Sequence, residues 1–167
     1  MKWDELSREP CSVARSVAVI GDRWTLLILR DCFLGVRRFE AFQERLGISR
    51  TIIADRLKVL TDEGVLAKTA YQDRPVRHEY RLTTKGLELY PVILAIVSWG
   101  DRHYDDGRGP PILRRHKACG CDFQPVITCS ECGEQVEARA VEARMREALP
   151  SDPQFPLRGA DDLPGQK

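Results

Sequence analysis

The sequence predicts a mainly α-helical domain carrying one β-hairpin, followed by a small Cys-rich hairpin and a C-terminal helix. Three observations predict this. Apolar residues recur at helical spacing through most of the first hundred positions. The period drops to two between Val65 and Leu82, as in paired strands. Four of the six cysteines fall between Cys119 and Cys132, too close together to serve the core of the helical part. The run Asp105 to Pro111 holds two glycines and two prolines, which no helix can cross. The expected division is therefore 1–104 for the helical domain, 105–149 for linker, Cys-rich hairpin and helix, and 150–167 for a tail. That tail has four prolines and no periodicity, the composition of a disordered segment.

Along the chain, Val13, Ala14, Val17 and Ala18 set out a first helix that Gly21 ends. Asp22 is placed to cap a second, through Trp24, Leu27 and Ile28 to Gly35, with Arg37 and Arg38 in the turn that follows. Cys32, beside Phe33 and Leu34, reads as a small core residue. Phe39, Phe42 and Leu46 mark a short third helix closed by Gly47. Ser49 opens a fourth, whose apolar stripe is Ile52, Ile53, Leu57 and Leu60. At 100° per residue its opposite face carries Arg50, Thr51, Ala54, Asp55 and Lys58. Val65 to Tyr71 and Arg77 to Leu82 read as two strands, with Pro75 confined to the turn. A long helix from Thr83 or Thr84 to about His103 carries two apolar stripes. One is Leu87, Tyr90, Leu94 and Val97; the other is Leu89, Ile93, Ile96 and Trp99. A helix apolar on two faces needs two partners: its own domain and a second copy of the chain. Pro91 kinks this helix or marks a late start. Trp24 and Trp99 read as core. Residues 137–149 suggest an amphipathic helix through Ala138, Val141, Met145 and Leu149.

The order helix, helix, short helix, glycine turn, helix, hairpin, helix is that of a winged helix-turn-helix. Phe39–Leu46, Gly47–Ile48 and Ser49–Glu63 form the helix-turn-helix. Its second helix is the one that enters a major groove. Arg74 and Arg77 sit near the tip of the wing, where cations reach phosphate or the minor groove. Lys and Arg gain affinity by displacing counterions. Thr51 and Ala54 are small enough to approach base edges, and Arg50 can bond guanine. The candidate DNA-contacting residues are Arg38, Ser49, Arg50, Thr51, Asp55, Arg56, Lys58, Arg74 and Arg77. The alternative for a polar helix face is plain solvation.

Charge agrees with a local rather than a global basic surface. The chain has 26 basic and 25 acidic side chains, which excludes a uniformly polycationic wrapper of nucleic acid. Residues 36–85 hold 11 basic and 7 acidic groups, a local excess of 4. No apolar run approaches the roughly 18–20 residues of a membrane span, and no signal-peptide pattern opens the chain. A reducing, cytoplasmic setting is expected, with cysteines as thiols or metal ligands. There is no phosphate loop and no nucleophile–His–acid set in motif context, so enzymatic activity and an organic cofactor are not expected.

Several short motifs occur together in one order and spacing. They are Cys11-Ser-Val-Ala14, Ile20-Gly-Asp-Arg-Trp-Thr-Leu-Leu-Ile-Leu-Arg30, Arg38-Phe39 and Gly47-Ile48-Ser49. Arg56-Leu57, Leu60, Glu63-Gly64-Val65-Leu66, Tyr80-Arg-Leu-Thr83, Lys85-Gly86 and Trp99-Gly100 follow. Over residues 10–104 this resembles the HxlR-type winged-helix transcription regulators of the MarR-like superfamily. The resemblance implies a dimeric bacterial repressor or activator that binds double-stranded DNA and pairs through its terminal helices. Residues 105–167 extend beyond the basic pattern. Some regulators of this kind sense oxidants or other electrophiles through a cysteine near Cys11, which makes a redox or small-molecule effector possible here. At the start of a helix a thiol's ionisation is favoured; the alternative is a cysteine packed against the partner protomer.

In the tail, His116-Lys-Ala-Cys119-Gly120 and Cys129-Ser-Glu-Cys132-Gly133 both read ligand-x-x-Cys-Gly. Two such knuckles closing one hairpin give a four-ligand tetrahedral site, as in zinc ribbons. The expected ligands to a structural zinc are His116, Cys119, Cys129 and Cys132, with Cys121 as the rival to His116. A metal-free hairpin and a redox dithiol are the other readings.

Overall fold

The computed structural model describes residues 3–144, which fall into two compact units divided between Leu113 and Arg114. The division lies nine residues past the position expected from composition. The stretch after residue 104 belongs to the first unit because it folds on itself. Asp105 Oδ1 accepts from the amides of Gly107 and Gly109, and Gly100, Asp101 and Tyr104 line a cleft with Arg108, Pro110 and Pro111.

The first unit opens with a 3-10 turn, Trp3–Arg8, and continues with α1 (Ser12–Ile20), α2 (Arg23–Phe33), α3 (Phe39–Leu46) and α4 (Arg50–Asp62). A hairpin follows, β1 (Leu66–Asp73) and β2 (Val76–Leu82), then α5 (Thr84–Leu87) and α6 (Tyr90–His103). Asp22 caps α2, accepting from Trp24 and Thr25 at 2.9 and 3.2 Å. Gly47 ends α3 with φ +63°, a left-handed conformation that L side chains rarely adopt. The strands are antiparallel, Leu66 opposite Leu82 and Asp73 opposite Val76, with a bulge between Ala70 and Gln72. Both strands run further than the alternation indicates, and the turn shrinks to Arg74-Pro75.

The core joins α2, α3, α4 and β1. Ile28, Leu29, Phe42, Ile53, Leu57, Leu60, Val65 and Leu66 are all fully or almost fully buried, with Cys32 and Ile93 at its margin. Each such side chain contributes roughly 1.5–3 kcal/mol. The apolar stripe of α4 is therefore what fixes which face of that helix remains outside.

The long helix expected over 84–103 is two helices. Pro91 has no N–H to continue a helix and sits at the first turn of α6, where none is needed. The two stripes regroup accordingly. Ile93 and Leu94 are buried, while Leu87, Tyr90, Val92, Ile96 and Trp99 are exposed. Trp99, read as core, is 56% exposed and stacks against His103 and Tyr104 at 5.4 and 5.2 Å. Gly86 is buried where α5 meets the residue before β1; a Cβ there would lie 2.2 Å from the carbonyl oxygen of Val65.

The second unit contains two tight turns, each closed by an isolated bridge, Arg115 with Asp122 and Thr128 with Gln135. The amphipathic helix expected over 137–149 is absent from its described part. Ala138–Ala140 form a single 3-10 turn and Val141 is extended. A lone helical turn with no surface to pack on does not nucleate. The rest of that expectation, and the disordered tail over 150–167, lie outside the described residues.

Candidate nucleic-acid interface

Burial of Ile53, Leu57 and Leu60 against α2 and α3 turns Arg50, Thr51, Ala54, Asp55 and Lys58 outward, and all five are exposed. Ser49 is engaged at the helix start, where its Oγ accepts from the Ile52 amide at 3.3 Å. It acts locally as the cap. Lys58 pairs along the helix with Asp62 at 2.5 Å.

Arg50 is held by α3. Its Nη1 donates to Gln43 Oε1 at 3.0 Å, and its guanidinium lies 4.7 Å over the Phe39 ring. Gln43 and Phe39 thus set the position of this cation, a role the linear reading did not assign. The available signal is the seven-residue separation across the glycine turn, which returns residue 43 to the start of α4.

Arg56 differs from the other α4 candidates. It projects from the core-ward side of the helix, with Nε 3.9 Å from Asp22 Oδ1 at the start of α2. That Nε is buried without a hydrogen-bond partner among the described residues. Position 56 lies next to Leu60 in helical phase, at the edge of the buried stripe, so the geometry gives it a contact within the fold rather than one on the outward face.

The wing is tied to the start of α3. Tyr80 N donates to Arg37 O at 2.8 Å, Arg38 bridges Glu79 in antiparallel fashion, and the Arg38 guanidinium lies 4.7 Å over the Tyr71 ring. Such stacking holds a cation in place without neutralising it. Arg74 and Arg77 are exposed and form no ion pair among the described residues. The basic side chains of this surface are therefore partly pre-positioned (Arg38, Arg50) and partly free (Arg74, Arg77).

The cysteines fall in three settings. Cys11 is half-buried at the N-cap of α1 and makes no side-chain capping bond. Cys32 is buried, and burial, helped by the Asp31 charge, pushes its thiol up to about 12. In the second unit, Cys119 Sγ lies 3.5 Å from His116 Nδ1. The amides of Cys132 and Glu131, with the Cys132 thiol, hold the Cys129 thiol below its ordinary range. Among the described residues no three His, Cys, Asp or Glu side chains stand together as a metal cluster. His116 and Cys119 share one turn, and Cys129 and Cys132 share the other.

Comparison with known proteins agrees with this architecture. Residues 19–108 match the family described as HxlR-like helix-turn-helix. An uncharacterized HTH-type transcriptional regulator of Mycobacterium tuberculosis, Rv3095, is 44% identical over 130 residues, 78% of this chain and 82% of that protein. The crystal structure of PA1607, a proposed transcription factor, superposes with a TM-score of 0.73 at 32% identity, covering 84% of this chain and 97% of that one. The redox regulator HypR in its reduced form gives a TM-score of 0.54 at 27% identity, over 57% of this chain and 95% of its own. Residues up to Leu113 are too few for the first two alignments, so both reach into the second unit. No described helix is long and apolar enough to cross a membrane. With its capped fourth helix facing outward beside a basic hairpin, the chain belongs to the HxlR-like helix-turn-helix family of transcriptional regulators.

Proposed function

We propose that the protein is a homodimer that reads a specific double-stranded DNA site, with α4 in the major groove and the hairpin as a wing on the phosphates. The observation that carries the reading is the division of α4: Ile53, Leu57 and Leu60 wholly buried, Arg50, Thr51, Ala54, Asp55 and Lys58 exposed. Small side chains at 51 and 54 allow the helix backbone to approach base edges. Arg50 and Lys58 supply charge on either side of them. Arg38, Arg74 and Arg77 serve phosphates, which position without specifying. Ser49 contributes as the cap that fixes the start of α4, and Arg56 as a brace to α2. Cytoplasmic action follows from a DNA partner, and no organic cofactor or catalytic step enters.

The second copy pairs across α6. Val92, Ile96 and Trp99 recur on its outer face at a spacing of four and three and are exposed in the single chain. Two-fold pairing of that stripe gives a self-complementary interface, and a dimer matches half-sites about one helical turn apart.

Gel-shift titration against the DNA upstream of the protein's own gene tests the reading. Saturable binding that survives excess unrelated DNA is expected; equal competition by any sequence would overturn it.

A second reading adds a thiol input. Cys11 is partly accessible at the start of α1, and the HypR neighbour is itself described as a redox regulator. In this reading oxidation of Cys11 alters DNA binding. The same titration with and without a peroxide, on wild type and Cys11→Ser, separates it: a response that persists in Cys11→Ser removes Cys11 as the sensor.

A further inference from the structure

The two turns of the second unit are copies of one another at an offset of thirteen residues. His116 N donates to Cys121 O at 2.9 Å, and Cys129 N to Glu134 O at 2.8 Å. Gly120 N donates to His116 O at 2.8 Å, and Gly133 N to Cys129 O at 2.9 Å. The outer rung repeats as well: Phe123 to Arg114 at 3.0 Å, Val136 to Ile127 at 2.8 Å. Gly120 and Gly133 take the same left-handed backbone, φ +71° and +76°. In this superposition His116 corresponds to Cys129, and Cys119 to Cys132. Cys121 corresponds to Glu134, and its own Sγ turns back to the Cys119 carbonyl at 3.6 Å.

We propose that this unit holds one zinc-class divalent ion on His116, Cys119, Cys129 and Cys132, each turn supplying two ligands. The first turn already has the spacing of a tetrahedral edge. Bonds of ~2.3 Å to sulfur and ~2.1 Å to nitrogen at a tetrahedral angle place the two ligand atoms about 3.6 Å apart. Cys119 Sγ and His116 Nδ1 are 3.5 Å apart. The second turn repeats this backbone, so Cys129 and Cys132 stand at the positions of His116 and Cys119.

The unit also needs such a link. None of its described residues is buried; Arg114, Pro125 and Cys129 are the most covered. Two well-formed turns with no buried residue among those described gain stability from a staple between them. One ion on all four ligands joins the two turns, so the binding free energy becomes folding free energy of this unit. On binding, the three thiols release their protons to solvent and His116 stays neutral, donating the Nδ1 lone pair. DNA recognition resides in the first unit and does not depend on this site.

The test uses the full chain, purified under reducing conditions. Elemental analysis is expected to find about one zinc per chain, and Co2+ replacement to give a thiolate charge-transfer band of three-sulfur intensity. Cys132→Ser abolishes binding, Cys132→His restores it with a two-sulfur spectrum, and Cys121→Ser leaves metal content unchanged. Retained operator binding in Cys132→Ser shows that the fold of the first unit is intact. A reduced wild type that holds no zinc and takes up no cobalt overturns the proposal, as does metal retained by Cys132→Ser. Loss of metal in Cys121→Ser overturns the assignment of His116. Failure of DNA binding in the wild type bears on the proposed function and leaves the metal measurements standing.

Discussion

Asp31 of α2 and Arg45 of α3 are joined by two hydrogen bonds, 3.2 and 3.3 Å, and the Asp31 side chain is wholly buried. Arg30 contacts the same carboxylate at 2.9 Å. A buried anion is costly unless paired and hydrogen-bonded. Both arginines reach solvent with their outer atoms, so the charge is satisfied from the surface inward. The pair fixes α3 against α2, and α3 in turn holds Arg50 through Gln43.

Asp31→Ala is expected to lower the unfolding free energy by about 2–3 kcal/mol, from loss of charge-assisted hydrogen bonds that leaves two solvated cations behind. Arg45→Ala also destabilises, because the carboxylate is left with Arg30 alone. Urea denaturation of both single variants and the double variant gives the coupling. Strict additivity would show that the two residues do not act together.

Arg74→Ala and Arg77→Ala are expected to weaken binding to all DNA sequences alike, each lowering the salt slope by about 1. Thr51→Ala and Arg50→Ala instead cost about 1–3 kcal/mol on the specific site and relax base preference. Gln43→Ala weakens specific binding in the same sense as Arg50→Ala, since it releases the guanidinium. Fluorescence anisotropy at several salt concentrations separates the two behaviours. Unchanged affinity in all five variants would remove α4 and the wing from the interface.

Ile96→Glu and Trp99→Glu place charge on the exposed stripe of α6 and are expected to convert a dimer to a monomer. Light scattering at micromolar concentration reads the mass directly. Monomeric wild type that retains operator binding would contradict pairing through this face.

Gly86→Ala is expected to destabilise by about 2–3 kcal/mol, because its Cβ would meet the Val65 carbonyl oxygen. The backbone at 86 is not left-handed, so the cost is steric and belongs to the approach of α5 to Val65. Thermal unfolding close to the wild-type midpoint would show that α5 moves aside freely.

Cys32 is expected to resist iodoacetamide in the folded protein and to react after denaturation. With its thiol pushed up to about 12, the thiolate at pH 8 is about one in ten thousand. Mass spectrometry of labelled peptides checks this, and native labelling of Cys32 would show that the α2 core opens readily.

Much of this molecule is legible in the linear chain because it depends on local signals. Asp22, Gly47, Ser49 and Pro75 act on their own backbone neighbours, so the starts of α2 and α4, the end of α3 and the place of the hairpin turn follow from residue type. The stripe Ile53, Leu57, Leu60 likewise fixes the outward face of α4 by helical phase alone. The repeated ligand-x-x-Cys-Gly spacing exposes the two turns of the tail for the same reason.

What required the tertiary structure depends on residues distant in sequence. Helical phase names the two faces of α4 but not the neighbour of Arg56, and Asp22 lies thirty-four positions away. Asp31 in an apolar helix is unexplained until α3 brings Arg45 to it. The exposure of Trp99 follows from which face of α6 found a neighbour, since only Ile93 and Leu94 of that helix are buried. Val141 carries apolar character at the right period for a helix, yet period supplies no surface to bury it on. Sequence thus determined the elements and their faces, through short-range sterics and hydrogen bonding. Packing alone decided which faces found a partner, because burial is a property of what lies opposite.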